Sequence, residues 1–66
     1  MMQVNKVVEL IIHEIDEKVV QLQEHLGSGG AVDFTEYNRV CGEIKGLLTV
    51  RRYTIDLNKN LENSDD

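Results

Sequence analysis

Few side chains in this 66-residue chain are of a kind that does chemistry, and their spacing limits what they can do. His13 stands one helical turn from both Glu9 and Glu17, a separation that could hold a divalent metal on a helix. The zinc-protease pattern H-E-x-x-H is absent, because His13-Glu14 runs on into Ile15-Asp16-Glu17, and His25 lies turns further along. These residues read as a solvated polar face. Cys41 has no histidine near it in sequence or across the expected hairpin, so it reads as a small core residue rather than a nucleophile. Tyr37 and Tyr53 read as packing area with a wet hydroxyl. Gly27-Ser28-Gly29-Gly30 is not a phosphate loop, since no strand precedes it and no Lys-Ser/Thr follows. With no converging nucleophile, base or metal set, the chain is expected to be no enzyme and to carry no catalytic, cofactor or metal site.

The elements that would position any site are helical. There is no proline, so the main interior helix breaker is missing. Val4, Val8, Ile11, Ile15, Val19, Leu22 and Leu26 follow one another at helical spacing. The same set repeats every eleven residues, a period close to the natural turn, which predicts little left-handed supercoiling. A first helix is expected over about residues 3–26 and a glycine loop over 27–32. Asp33 is a good N-cap with Glu36 three positions on, as in a capping box, and Val32 with Tyr37 could form a hydrophobic staple. A second helix is therefore expected over about 33–62, leaving 63–66 as an acidic tail. So short a loop makes the helices antiparallel neighbours. The predicted class is all-α: one two-helix hairpin, coiled-coil-like, with paired residue numbers summing to about 59. That register sets Ile11 near Leu48, Ile15 near Ile44, Val19 near Cys41 and Leu22 near Tyr37. It puts Arg51 beside Val8 and Glu9. Either Glu9 or a neighbouring acid neutralises it, or its stem lies along the seam with its head in water.

Size makes such a hairpin a poor match for isolation. A chain this short buries only about 60% of its unfolded surface and usually needs a staple. One cysteine and two distant histidines argue against a disulfide or a structural zinc site, which leaves oligomerisation. The formal charge is −5. Residues 1–26 hold five acids and two bases, residues 34–62 four acids and five bases. No face is strongly basic, which disfavours direct nucleic-acid binding, and the acids are too dispersed for a DNA mimic. No segment nears the run of about 20 apolar residues that spans a bilayer. Solubility without membrane association is expected, in a reducing compartment.

Each helix has more apolar surface than one neighbour can cover. The apolar arc of helix 1 is about 140° wide, and Leu10 and Val20 fall outside it. Helix 2 has an inner stripe of Tyr37, Val40, Cys41, Ile44 and Leu48. A second stripe of Gly42, Gly46, Val50, Tyr53 and Leu57 runs along its other side. Glycine inside an exposed helix costs about 1 kcal/mol relative to alanine. At i and i+4 it also lets another helix approach closely. The two glycines are then tolerated irregularities, an aid to packing within the hairpin, or part of a second contact face. That face, Gly42, Gly46, Val50, Tyr53 and Leu57, is the candidate interaction site.

Asp33-Phe34-Thr35-Glu36-Tyr37, followed by Gly42-Glu43-Ile44-Lys45-Gly46-Leu47, resembles a segment found in small, mostly uncharacterised helical-hairpin proteins of tailed bacteriophages. Its pattern is D-F-x-E-Y-x4-G-x-I-x-G-L, and the likeness covers about residues 26–57. The resemblance implies a non-enzymatic structural or interaction protein, virion-associated or assembly-related, located in the virion or the host cytoplasm. Its partner would be another copy or a larger phage protein. The other reading is a small phage-encoded regulator or inhibitor that binds a host protein.

Overall fold

A computed structural model describes residues 4–63, and among these only two elements form. Helix α1 runs over Val4–Gly27 and α2 over Phe34–Asn63, packed as an antiparallel hairpin. The fold is all-α, as the spacing predicts. Asn63, expected in the tail, is the last residue of α2, and the rest of that acidic tail lies outside the described residues.

The turn is set by Gly29 rather than by Gly27, which still belongs to α1. Gly29 has φ 80°, a left-handed conformation that glycine reaches without a Cβ clash. The Gly29 N–H donates to the Leu26 carbonyl at 3.2 Å and the Gly30 N–H to that of His25 at 2.8 Å. These two bonds are the 5→2 and 6→1 bonds of a Schellman motif, so the reversal is an ordered cap rather than a slack glycine tether. Gly30 is needed for space, since a Cβ there would lie 2.4 Å from the His25 ring and 2.7 Å from its carbonyl oxygen.

At the start of α2, Asp33 Oδ1 accepts the Glu36 N–H at 2.8 Å, the N-cap bond expected from the sequence. The reciprocal half of the capping box is replaced, because the Glu36 carboxylate is hydrogen-bonded to Arg39. The staple expected between Val32 and Tyr37 is corrected as well. Val32 is 87% exposed, and the Tyr37 ring instead stacks on Phe34 with centroids 6.5 Å apart.

The seam follows a different period from the one expected. The residues of α1 that are buried or half-buried on its inner side are Val8, Ile12, Ile15, Val19, Leu22 and Leu26, at steps of 4, 3, 4, 3 and 4. On α2, Val40, Ile44, Leu47, Arg51, Thr54 and Asn58 step identically. Both are seven-residue repeats, the pattern of a left-handed coiled-coil seam, not the eleven-residue one. Two positions change sides as a result. Ile12 and Leu47 face inward, while Ile11 and Leu48 are 42% and 47% exposed, so the expected Ile11–Leu48 core pair is absent. The physical reason is that two facing helices can share only a narrow seam, and a seven-residue repeat keeps that seam aligned along both. The side chain of Val4, the first member of the expected stripe, lies outside the description.

Arg51 occupies one of these inner positions, and its partner is Asp16. Arg51 Nε donates to Asp16 Oδ1 at 2.8 Å and its Nη2 to Oδ2 at 3.4 Å. The acid is thus two turns nearer the loop than Glu9. Helical side chains lean toward the N-terminus of their own helix, which on α2 carries the guanidinium loopward. The expected register of 59 ignores this lean. Both groups remain partly in water, so the pair contributes on the order of 1 kcal/mol or less. Asn58 is half-buried, and its Oδ1 is shut off from solvent without a hydrogen-bond partner.

The cap at Gly29 leads to a stability prediction. Gly29→Ala forces an alanine into the left-handed region and should destabilise the hairpin by about 1–2 kcal/mol, measured by urea denaturation. Unchanged stability would mean that the turn can re-form without that conformation.

Candidate interaction surface

Only Ile15, Val19 and Val40 are buried among the described apolar residues, and only Val40, at 1% exposure, is fully so. Twelve large apolar side chains among the described residues are exposed. The molecule is a rod of 52 × 16 × 13 Å with a radius of gyration of 15.4 Å, against about 11 Å for a compact domain of this length. Its accessible surface is 5314 Å², about 1,000 Å² more than the scaling for compact monomers of this mass.

The candidate stripe lies in the open. Val50, Tyr53 and Leu57 are 49%, 67% and 61% exposed. A Cβ at Gly42 or Gly46 would meet nothing within 4 Å, so neither glycine is needed for packing inside the hairpin. The five residues share one side of α2 at steps of 4, 4, 3 and 4, well round from the Val40–Asn58 seam. Phe34 and Leu48 form a separate exposed flank, and Tyr37 joins Phe34 near the loop.

The seven-residue repeat also exposes something the eleven-residue reading hides. Ile11, Lys18 and His25 of α1 and Glu36, Glu43, Val50 and Leu57 of α2 border the same edge of the seam. His25 acts electrostatically on Glu36 across that edge. Near the loop this edge is charged, and toward the open end of the hairpin it becomes apolar, with Ile11 beside the level of Val50 and Leu57. The signal in the sequence was the adjacent pair Ile11-Ile12, of which only one can point into a two-helix seam.

Groups that could do chemistry are dispersed. His13 Nε2 lies 3.4 Å from Glu17 Oε2, both well exposed, and no cluster of three potential metal ligands forms among the described residues. Cys41 is half-buried. Its thiol, one turn from Tyr37, pushes the Tyr37 phenol above its ordinary value through a hydrogen bond and charge. Glu36 is held below the usual carboxylate range, first by the hydrogen bond from Arg39, against some desolvation, and then by the charges of Arg39 and His25. Arg39 also lies 3.5 Å from Glu43, so this end of α2 is a small ionic ladder. No helix among the described residues is long and apolar enough to cross a membrane.

No family model, curated protein or solved structure matches the chain.

The carboxyl of Glu36 gives a pH test. Its lowered pKa contributes stability that is present above the ordinary value of 4.5 and is lost as pH falls through the lowered folded value. Arg39→Ala should return the Glu36 titration toward 4.5, followed by NMR of the carboxyl carbon. A titration that stays low in this variant would place the cause elsewhere. The open space at Gly46 gives a stability test of opposite sign to Gly29: in dilute solution Gly46→Ala should stabilise the helix by about 1 kcal/mol. Destabilisation in chemical melts would mean that the position is sterically occupied.

Proposed function

We propose that this chain is a non-enzymatic helix-docking module, a hairpin whose apolar surface is completed by helices from outside the two-helix unit. The observation that carries the reading is the imbalance between three buried and twelve exposed large apolar side chains among the described residues. Scattered exposed apolar side chains are ordinary, but so large an excess of exposed over buried ones leaves the hairpin with a thin core of its own. The catalytic alternative has little to draw on, since apart from the Asp16–Arg51 pair between the helices the ion pairs among the described residues lie exposed along single helices. The resemblance of residues 33–47 to small tailed-phage proteins supports placing this module in a phage particle or in its assembly.

Two measurements test the reading. If helices from outside complete the core, thermal melting of the purified chain should be broad, or should shift upward by about 10 °C or more over a hundredfold rise in concentration. A sharp, concentration-independent transition of a monomer would sink the docking role. Mass spectrometry of purified phage particles should find the polypeptide. Its absence there, together with recovery on a host protein, would favour the regulator over the virion component.

A further inference from the structure

We propose that the hairpin contains a clasp: its open end, residues 4–12 of α1 with 54–63 of α2, separates as one unit while the loop half stays closed, and the Asp16–Arg51 pair marks the boundary. The inference stands apart from the docking reading, because every observation behind it lies in the seam or at the helix ends.

The seam changes character along its length. Between the turn and Arg51 both strips are aliphatic, and none of the buried residues Ile15, Val19 and Val40 lies further from the turn than the level of Asp16. Beyond that level Val8 and Ile12 share the seam with Thr54 and Asn58, and all four are only half-buried. Polar groups drawn into such a seam need hydrogen bonds in exchange for water, and here those bonds are not made across it. Asn58 Oδ1 is shut off from solvent without a partner. Thr54 spends its hydroxyl on its own helix, donating to the Val50 carbonyl at 2.9 Å. Separation returns water to Asn58, so the closed end carries a penalty that the open one lacks.

The helix termini are unequal in the same sense. At the turn, His25 lies in the last turn of α1 and Glu36 in the first turn of α2, each able to carry the charge that suits its helix dipole. At the open end the first turn of α1 has no acid and holds Lys6, while the last turn of α2 has no base and holds Glu62. Both charges oppose the dipole there. The turn also has the Schellman bonds and the Asp33 cap. Between the two regimes Arg51 Nε and Nη2 donate to Asp16 Oδ1 and Oδ2, tying the helices together where the aliphatic seam ends. Helical segments this short are marginal in water without a neighbour, so the parted ends also lose backbone hydrogen bonds.

Hydrogen exchange of the full chain, read by mass spectrometry at low-micromolar concentration, tests the clasp. Amides of residues 7–12 and 54–60 should exchange about tenfold or more faster than those of 15–26 and 40–50. Asn58→Leu removes the orphaned acceptor and should slow exchange about tenfold in both open-end segments, including 7–12, although the change is on the other helix. Asp16→Asn should carry fast exchange loopward into 13–18 and 47–53, by about two- to fivefold. Equal protection at the two ends of the hairpin overturns the clasp. So does an Asn58→Leu variant that slows α2 alone or neither helix, since simple fraying of single helix ends gives that result. Neither outcome touches the docking reading, which the concentration dependence of melting decides.

Discussion

Two helices alone share a single seam, and nearly everything else in this molecule is a consequence of how little that seam can hide. A seven-residue repeat aligns one narrow strip of α1 with one of α2. The strip contains aliphatic residues near the loop, but at Arg51, Thr54 and Asn58 it turns polar toward the open end. The buried residues Ile15, Val19 and Val40 accordingly lie in its middle and loopward parts. The Asp16–Arg51 pair marks the place where the apolar seam gives way.

Local capping compensates in part for a thin core. The Schellman bonds at Gly29 and Gly30 and the Asp33 side-chain cap satisfy backbone groups at the two helix ends that meet in the turn. They also hold the chain direction where the reversal occurs. Beyond the turn, the ion pairs of Arg39 with Glu36 and Glu43 stabilise the start of α2 on its outside. These contributions depend little on the seam, so the loop end is the better-determined part of the hairpin.

Both apolar edges outside the seam fit that division. Ile11, Val50 and Leu57 gather at the open end, where the seam is polar, while Gly42 and Gly46 leave a smooth track along the same helix. A helix laid there would cover apolar side chains that the hairpin leaves wet.

The sequence by itself determined the class, the two helices, the N-cap at Asp33 and the excess of apolar surface. Each of these follows from local spacing: apolar periodicity, a glycine-rich break, an acceptor side chain before a helix. It also placed Gly42, Gly46, Val50, Tyr53 and Leu57 on one side of α2, since residues on a regular helix keep fixed angles to one another. Only the tertiary structure decided which of two adjacent apolar residues faces inward, Ile12 over Ile11 and Leu47 over Leu48. Those choices depend on the neighbouring helix, because an α-helix with a wide apolar arc can be rotated to present several nearly equivalent strips. The partner of Arg51 was decided in the same way, by the lean of a long side chain across a register that no local spacing encodes. The ordered bonds at Gly29 were likewise hidden among four candidate turn residues, any of which could have taken the left-handed conformation.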